Sequence, residues 1–153
     1  MEAARPAQEA DRAACAELLG TALLGAQSMR GGTALAGTAS PEQLLDRWMS
    51  KDPEAALIVG EFHHVVVGVA AATTFVRHGA EAPSGRMECC FVEEGARGVG
   101  VGTALIDAVV AWCVNKGCKD MDAMALPGDR STKQRLEAAG LTARLLVLNR
   151  RLY

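Results

Sequence analysis

Three glycines at alternate positions, Gly98, Gly100 and Gly102, lie between the run "RMECCFV" and a stretch with helical spacing, "ALIDAVVAWCVN". Few features constrain a fold as much as this one. The first turn of a helix leaves backbone N–H groups without intrahelical partners, and the helix dipole adds partial positive charge there. An anion reaches those donors only where side chains are absent, which is what glycine provides. Arg97 adds a full charge at the entrance and Thr103 a hydroxyl at the first turn. A strand, a bare turn and a helix in that order make a phosphate seat.

The spacing narrows the ligand. A dinucleotide fingerprint needs glycine at position 103, where a threonine stands, and a P-loop needs a Gly-Lys pair that is missing. The elements on either side follow from period and punctuation. "EAARPAQ" reads as a short strand and "RAACAELLGTALL" as a helix capped by Asp11. Gly25 to Ser40 reads as a mobile loop, either a lid or substrate wall or a tolerated surface loop. Ser40-Pro41-Glu42-Gln43 then starts a helix running to about Met49.

From Ala55 the period changes to two. "AALIVGEF" and "VVVGVAAATTFV" read as strands joined at His63 and His64, and "RMECCFV", Arg86 to Val92, as a third. The helix after the glycines carries Leu105, Ile106, Val109, Val110 and Cys113 on one stripe and closes at Gly117. "KDMDAMAL" is a further strand, Asp129 to Ala139 a helix ending at Gly140, and "TARLLVLNRRLY" a closing strand. The sum is an α+β arrangement, a mixed sheet with helices, in one domain spanning 1–153.

Composition excludes more than it selects. With 153 residues, 50% of them apolar, the chain can bury one sizeable core. Net charge is -2, so there is no overall basic footprint for nucleic acid or for a membrane surface. The opening residues lack the apolar core of a signal peptide, and no apolar run is long enough to span a bilayer. Five cysteines without a C-x-x-C pair, and three histidines without ligand spacing, predict reduced thiols, no metal site and a cytoplasmic setting.

Arg97-x-x-Gly-x-Gly after a strand resembles the acyl-CoA pyrophosphate motif of the GNAT superfamily of N-acyltransferases. "ARPAQEADRAACAELL" is similar to that family's first strand and helix, and Ala125 to Leu152 to its closing strand, helix and strand. About four-fifths of the chain follows the pattern, Gly25 to Ala55 being the poorly matched part. The resemblance implies the GNAT fold, a central, mostly antiparallel twisted sheet with helices on both faces. It implies acetyl-CoA or coenzyme A on Arg97, Gly98, Val99, Gly100, Val101, Gly102 and Thr103. Phe91 and Val92 match the strand end that pairs with the pantetheine arm. Asp129, Thr132 and Lys133 match the helix along its other side, where Lys133 reaches a CoA phosphate or stays a solvated lysine.

Acetyl transfer to an amine needs a base for the ammonium and a polarised thioester carbonyl. Glu88, inside an otherwise apolar strand, is the candidate base; an edge charge or an ion pair with Arg86 or Arg77 is the other reading. The tyrosine that many members use as acid is matched by Leu136, which leaves Ser131 or water as donor. Cys89 and Cys90 read as core residues rather than nucleophiles, and the three histidines as turn residues. The expected activity is acyl transfer to a small-molecule or protein amine; a non-catalytic CoA-binding regulatory domain is the alternative. Many members of the family are dimers, so a homodimer is expected on that ground alone.

Overall fold

A computed structural model describes residues 1–153. Five strands, β1 (Glu2–Pro6), β2 (Ala55–Phe62), β3 (Val65–Phe75), β4 (Ser84–Val92) and β5 (Met121–Ala123), lie side by side in chain order. The first four are antiparallel neighbours, and β5 is added parallel to β4. Five helices flank them: α1 (Arg12–Gln27), α2 (Gly32–Ala36), α3 (Pro41–Trp48), α4 (Val101–Asn115) and α5 (Arg130–Ala138).

Strand alternation divides the core in two. Leu57, Val59, Val69 and Ala71 point to one face, where they meet Cys15 and Leu19 of α1 and Leu45 and Trp48 of α3. Ile58, Ala70, Ala72 and Met87 point to the other, against Leu105, Ile106, Val109 and Cys113 of α4 and Leu136 of α5. Both faces are covered, which is why β3 is apolar almost throughout instead of alternating.

How close α4 lies to the sheet is set by two glycines paired across β2 and β3, Gly60 and Gly68. A Cβ at Gly60 would stand 2.5 Å from Val101 Cγ1, and one at Gly68 3.0 Å from Leu105 Cδ1. Bare backbone at these two points lets the first turn of α4 settle onto the sheet. That contact fixes the glycine turn relative to the end of β4.

Several expectations hold in detail. Ser40 and Gln43 form a reciprocal capping box at α3. His63 and His64 both take positive φ, 48° and 66°, in the β2–β3 turn. Gly117 and Gly140 stand just past the ends of α4 and α5 with φ of 75° and 92°. Other expectations are corrected. Asp11 does not cap α1 through its side chain; its carboxylate is taken by the Arg5 guanidinium and the Gln8 N–H instead. Gly25 to Ser40 is not a plain loop, because α1 runs on to Gln27 and the alanine-rich "GTALA" forms α2 between Gly31 and Gly37. "RMECCFV" starts earlier, at Ser84, and "KDMDAMAL" pairs over only three residues.

The largest correction is the closing strand. Thr142 to Tyr153 joins no sheet and is exposed throughout. A strand needs a ladder as well as propensity, and this segment stays off the edge of its own three-residue β5.

Candidate functional site

β4 and β5 pair only at Gly85–Met87 and Met121–Ala123, then separate. From Glu88 to Val92, β4 therefore has a ladder partner only on its β3 side. A three-residue 3-10 turn, Glu94–Ala96, carries the chain off the end of β4 and into Arg97. Gly98 and Gly100 then take φ of 84° and 92°, where L side chains are strained, and α4 begins at Val101.

The consequence is a row of vacant donors. From Gly98 to Thr103, six consecutive backbone N–H groups donate to no carbonyl and to no side chain; the first bond of the helix comes from Ala104 to Gly100 O, 3.0 Å. Their opening is a cavity of about 400 Å³ between Val92, Ala96, the glycine turn, Thr103 and Arg135. An oxyanion fits this environment: N–H donors, the positive end of a helix and guanidinium charge line it, and the one acid beside the turn is Glu2, whose Oε1 lies 3.5 Å from where a Cβ at Gly100 would stand.

Arg135 is a site residue that sequence reasoning missed. It comes from α5 and crosses to the glycine turn, where a Cβ at Gly102 would stand 3.2 Å from its Cδ, Nε and Nη1. The one signal in the sequence was its place three residues after Thr132, on the side of α5 that also buries Leu136. Arg97 also lines the cavity, but its Nε donates to Val92 O at 3.1 Å and its guanidinium lies over the Phe91 ring.

Not all the expected cofactor residues gather here. Gly98, Gly100, Gly102, Thr103, Arg97 and Val92 do, with Val99 and Val101 in the same turn. Asp129 and Thr132 are occupied with each other at the start of α5: the Asp129 carboxylate accepts from Thr132 N (3.1 Å) and Oγ1 (2.6 Å). Lys133 is exposed and paired with Glu137 at 3.7 Å. Ser131 is exposed and outside the cavity wall.

Glu88 is placed by an irregularity that the sequence does not announce. The β3–β4 register steps from Ala71 opposite Cys89 to Ala72 opposite Met87, so Glu88 is an extra, bulged residue. Bulges re-aim side chains and occur often beside active sites. The Glu88 side chain, 21% exposed, accepts from Thr73 Oγ1 at 2.7 Å and lies 3.7 Å from Arg47 Nη2 of α3. Its ion-pair partner is therefore neither Arg77, which holds Asp120 and Asp122, nor Arg86, which stacks on Phe75.

The cysteines are not prepared as nucleophiles. Burial pushes the Cys90 thiol up to about 11 even though Arg135 pulls it down, and raises Cys89 as well. Both stay protonated near neutrality. Leu136, at the position matched to the family's tyrosine acid, is buried core, and Tyr153 is fully exposed at the far end of the closing segment.

Comparison with known proteins agrees with this geometry. The profile of the acetyltransferase (GNAT) family matches residues 28–131. No curated protein matches the chain in sequence. Among solved structures, a transcriptional regulator from Bacillus halodurans C-125 superposes with a TM-score of 0.77 at 18% identity, over 99% of this chain and 100% of that one. An aminoglycoside N-acetyltransferase in complex with CoA gives 0.74 at 20%, over 100% and 96%. A glucosamine-6-phosphate N-acetyltransferase from Arabidopsis thaliana gives 0.73 at 14%, over 100% and 99%. At these identities the likeness is one of fold. No helix of the chain is long and apolar enough to cross a membrane.

Proposed function

The chain belongs to the acetyltransferase (GNAT) family, and from that premise we propose that it binds acetyl-CoA and passes the acetyl group to a primary amine by direct attack. The observation that carries the reading is the row of six unpaired N–H groups above the 400 Å³ cavity. Those donors suit a pyrophosphate, and Arg135 with Arg97 supplies the balancing charge. Acetyl-CoA, when bound, would supply the acyl group as an activated thioester, with the coenzyme A thiolate as the leaving group.

The chain's own groups divide the remaining work. The unpaired edge of β4 from Glu88 to Val92 offers backbone groups to an extended amide arm, as an added strand would find them. Glu88 holds one carboxylate oxygen against Thr73 and turns the function of base toward the acceptor ammonium, directly or through a water. Removing that proton leaves a neutral amine able to attack. Thr73 and Arg47 keep the carboxylate in place while it does so. No protein acid is needed at Leu136, since a thiolate of ordinary pKa near 8.5 leaves without one; Ser131 is solvent-exposed and water serves equally.

A second reading has one observation in its favour. The apolar Leu136 at the matched acid position fits a CoA-binding regulatory domain without turnover. One experiment separates the two: release of free thiol from acetyl-CoA, measured against a panel of amino acids, amino sugars, polyamines and peptide amines. We expect turnover with one class of amine, and a kcat lower by about 10²–10³-fold in Glu88→Gln with CoA affinity retained. CoA binding with no turnover on any amine would favour the regulatory reading. Absence of CoA binding would remove both.

A further inference from the structure

One cation beside the candidate base has no answering group in the chain. Thr73 and Arg86 stand opposite each other across β3 and β4, so their side chains share a face of the sheet. Thr73 Oγ1 donates to Glu88 on that face, where α3 also brings Arg47. Arg86 is two residues back along β4 from Glu88, about 6.5 Å of strand. It is opposite Asp122 on β5, just inside the last rung at Met87 and Ala123, and Glu88 is the first residue beyond that rung.

The half-buried Arg86 guanidinium lies 4.1 Å from the centroid of the Phe75 ring. It makes no hydrogen bond or ion pair, and its Nε is buried without a partner. The acid across the ladder, Asp122, is taken by Arg77 at 2.7 Å, and Glu88 is paired with Arg47. Buried donors left empty are costly, which makes this one a place for a ligand atom. Stacking on the ring holds the fork in one plane and leaves its N–H edge to a planar anion.

We propose that the acceptor carries a carboxylate next to its amine: it is an amino acid, taken as the zwitterion, whose carboxylate Arg86 holds while its ammonium faces Glu88. Charge favours this class over polyamines and amino sugars. Arg47, Arg77 and Arg86 stand against Glu88, Asp120 and Asp122 in this part of the sheet, so a polycation finds no surplus of acid, whereas a zwitterion finds one sign at each end. The ammonium gives a proton to Glu88, its nitrogen bonds to the acetyl carbon as the C–S bond breaks, and the second proton lost from nitrogen goes to the thiolate. The inference rests on the acyltransferase reading of Glu88.

Binding and turnover are tested separately. Calorimetry on the protein saturated with CoA compares amino acids with their amides and with their descarboxy amines, and thiol release from acetyl-CoA compares the same sets. We expect at least one amino acid to bind at least ~30-fold more tightly than either uncharged counterpart, the worth of a forked charge-assisted bond, with kcat/KM following. In Arg86→Gln that preference should vanish, chiefly through KM, in a protein whose circular dichroism and CoA affinity report that it is folded. The wild type alone can overturn the proposal, by binding the amides or descarboxy amines as well as the amino acids, or by binding no amino acid. A preference that persists in folded Arg86→Gln also overturns it. Arg86-dependent binding without thiol release keeps the role of Arg86 and removes the acyltransferase reading; thiol release with descarboxy amines alone does the reverse.

Discussion

Three helices of this chain meet the same problem at their first turn and solve it in opposite ways. α3 begins on Ser40, whose hydroxyl accepts from Gln43 N at 3.2 Å while Gln43 Oε1 accepts from Ser40 N at 2.8 Å. α5 begins on Asp129, which accepts from Thr132. α4 begins on Gly100, which has no side chain to offer, and six N–H groups around it stay vacant. At α3 and α5 a side chain closes the start of the helix. At α4 it is left open in a concave wall beside two arginines, where the donors are available to an anion.

The sharpest way to break this comparison is Gly102→Glu. Gly102 lies inside α4 at an ordinary φ, and the neighbour its side chain would meet is the flexible Arg135. Replacing a helical glycine gains up to about 1 kcal/mol, and an acid in the first turn is favourable to the dipole. The variant should melt at or above the wild-type temperature and yet lose CoA affinity by about 100-fold or more, roughly 3 kcal/mol, because its carboxylate fills the seat and repels phosphate. Calorimetry and a thermal melt check both halves. Arg135→Gln should weaken CoA by about 2 kcal/mol through loss of a charge-assisted bond, with stability unchanged and a shallower salt dependence.

α1 provides an intermediate case, since the acid before it is turned away from the helix. Arg5 holds the Asp11 carboxyl below the usual carboxylate range, so its contribution is complete above the unfolded value near 3.9 and fades as pH falls through the lower folded value. Denaturant melts from pH 7 to pH 2 should show an acid limb that Asp11→Asn flattens. At pH 7 the variant should be about 1.5–2 kcal/mol less stable, with CoA affinity intact. The smallest effect is expected at α3, where Ser40→Ala should cost about 1 kcal/mol of stability and nothing in binding. A binding loss there would mean that closed and open helix starts are not distinct in function.

What the sequence made legible divides along the same line. The glycine turn, the capping box at Ser40 and the stripe of α4 are local patterns, each written in consecutive residues, and all three appear in the structure. Arg135 at the seat, Arg47 beside Glu88 and the Gly60–Gly68 notch under α4 are meetings of distant elements, which no local period encodes. The bulge at Glu88 depends on how β4 registers with β3, a property of the pair. The closing segment shows the converse: strand composition was plain, but strand formation requires an edge on which to lie.

The most direct test is on the vacant donors themselves. In a nitrogen-15 correlation spectrum titrated with CoA, the amides of Gly98, Val99, Gly100, Val101, Gly102 and Thr103 should shift downfield together at a common Kd, while pantetheine, which lacks the pyrophosphate, leaves them in place. CoA binding that moves other amides and spares these six would contradict the account, and place the ligand elsewhere on the fold.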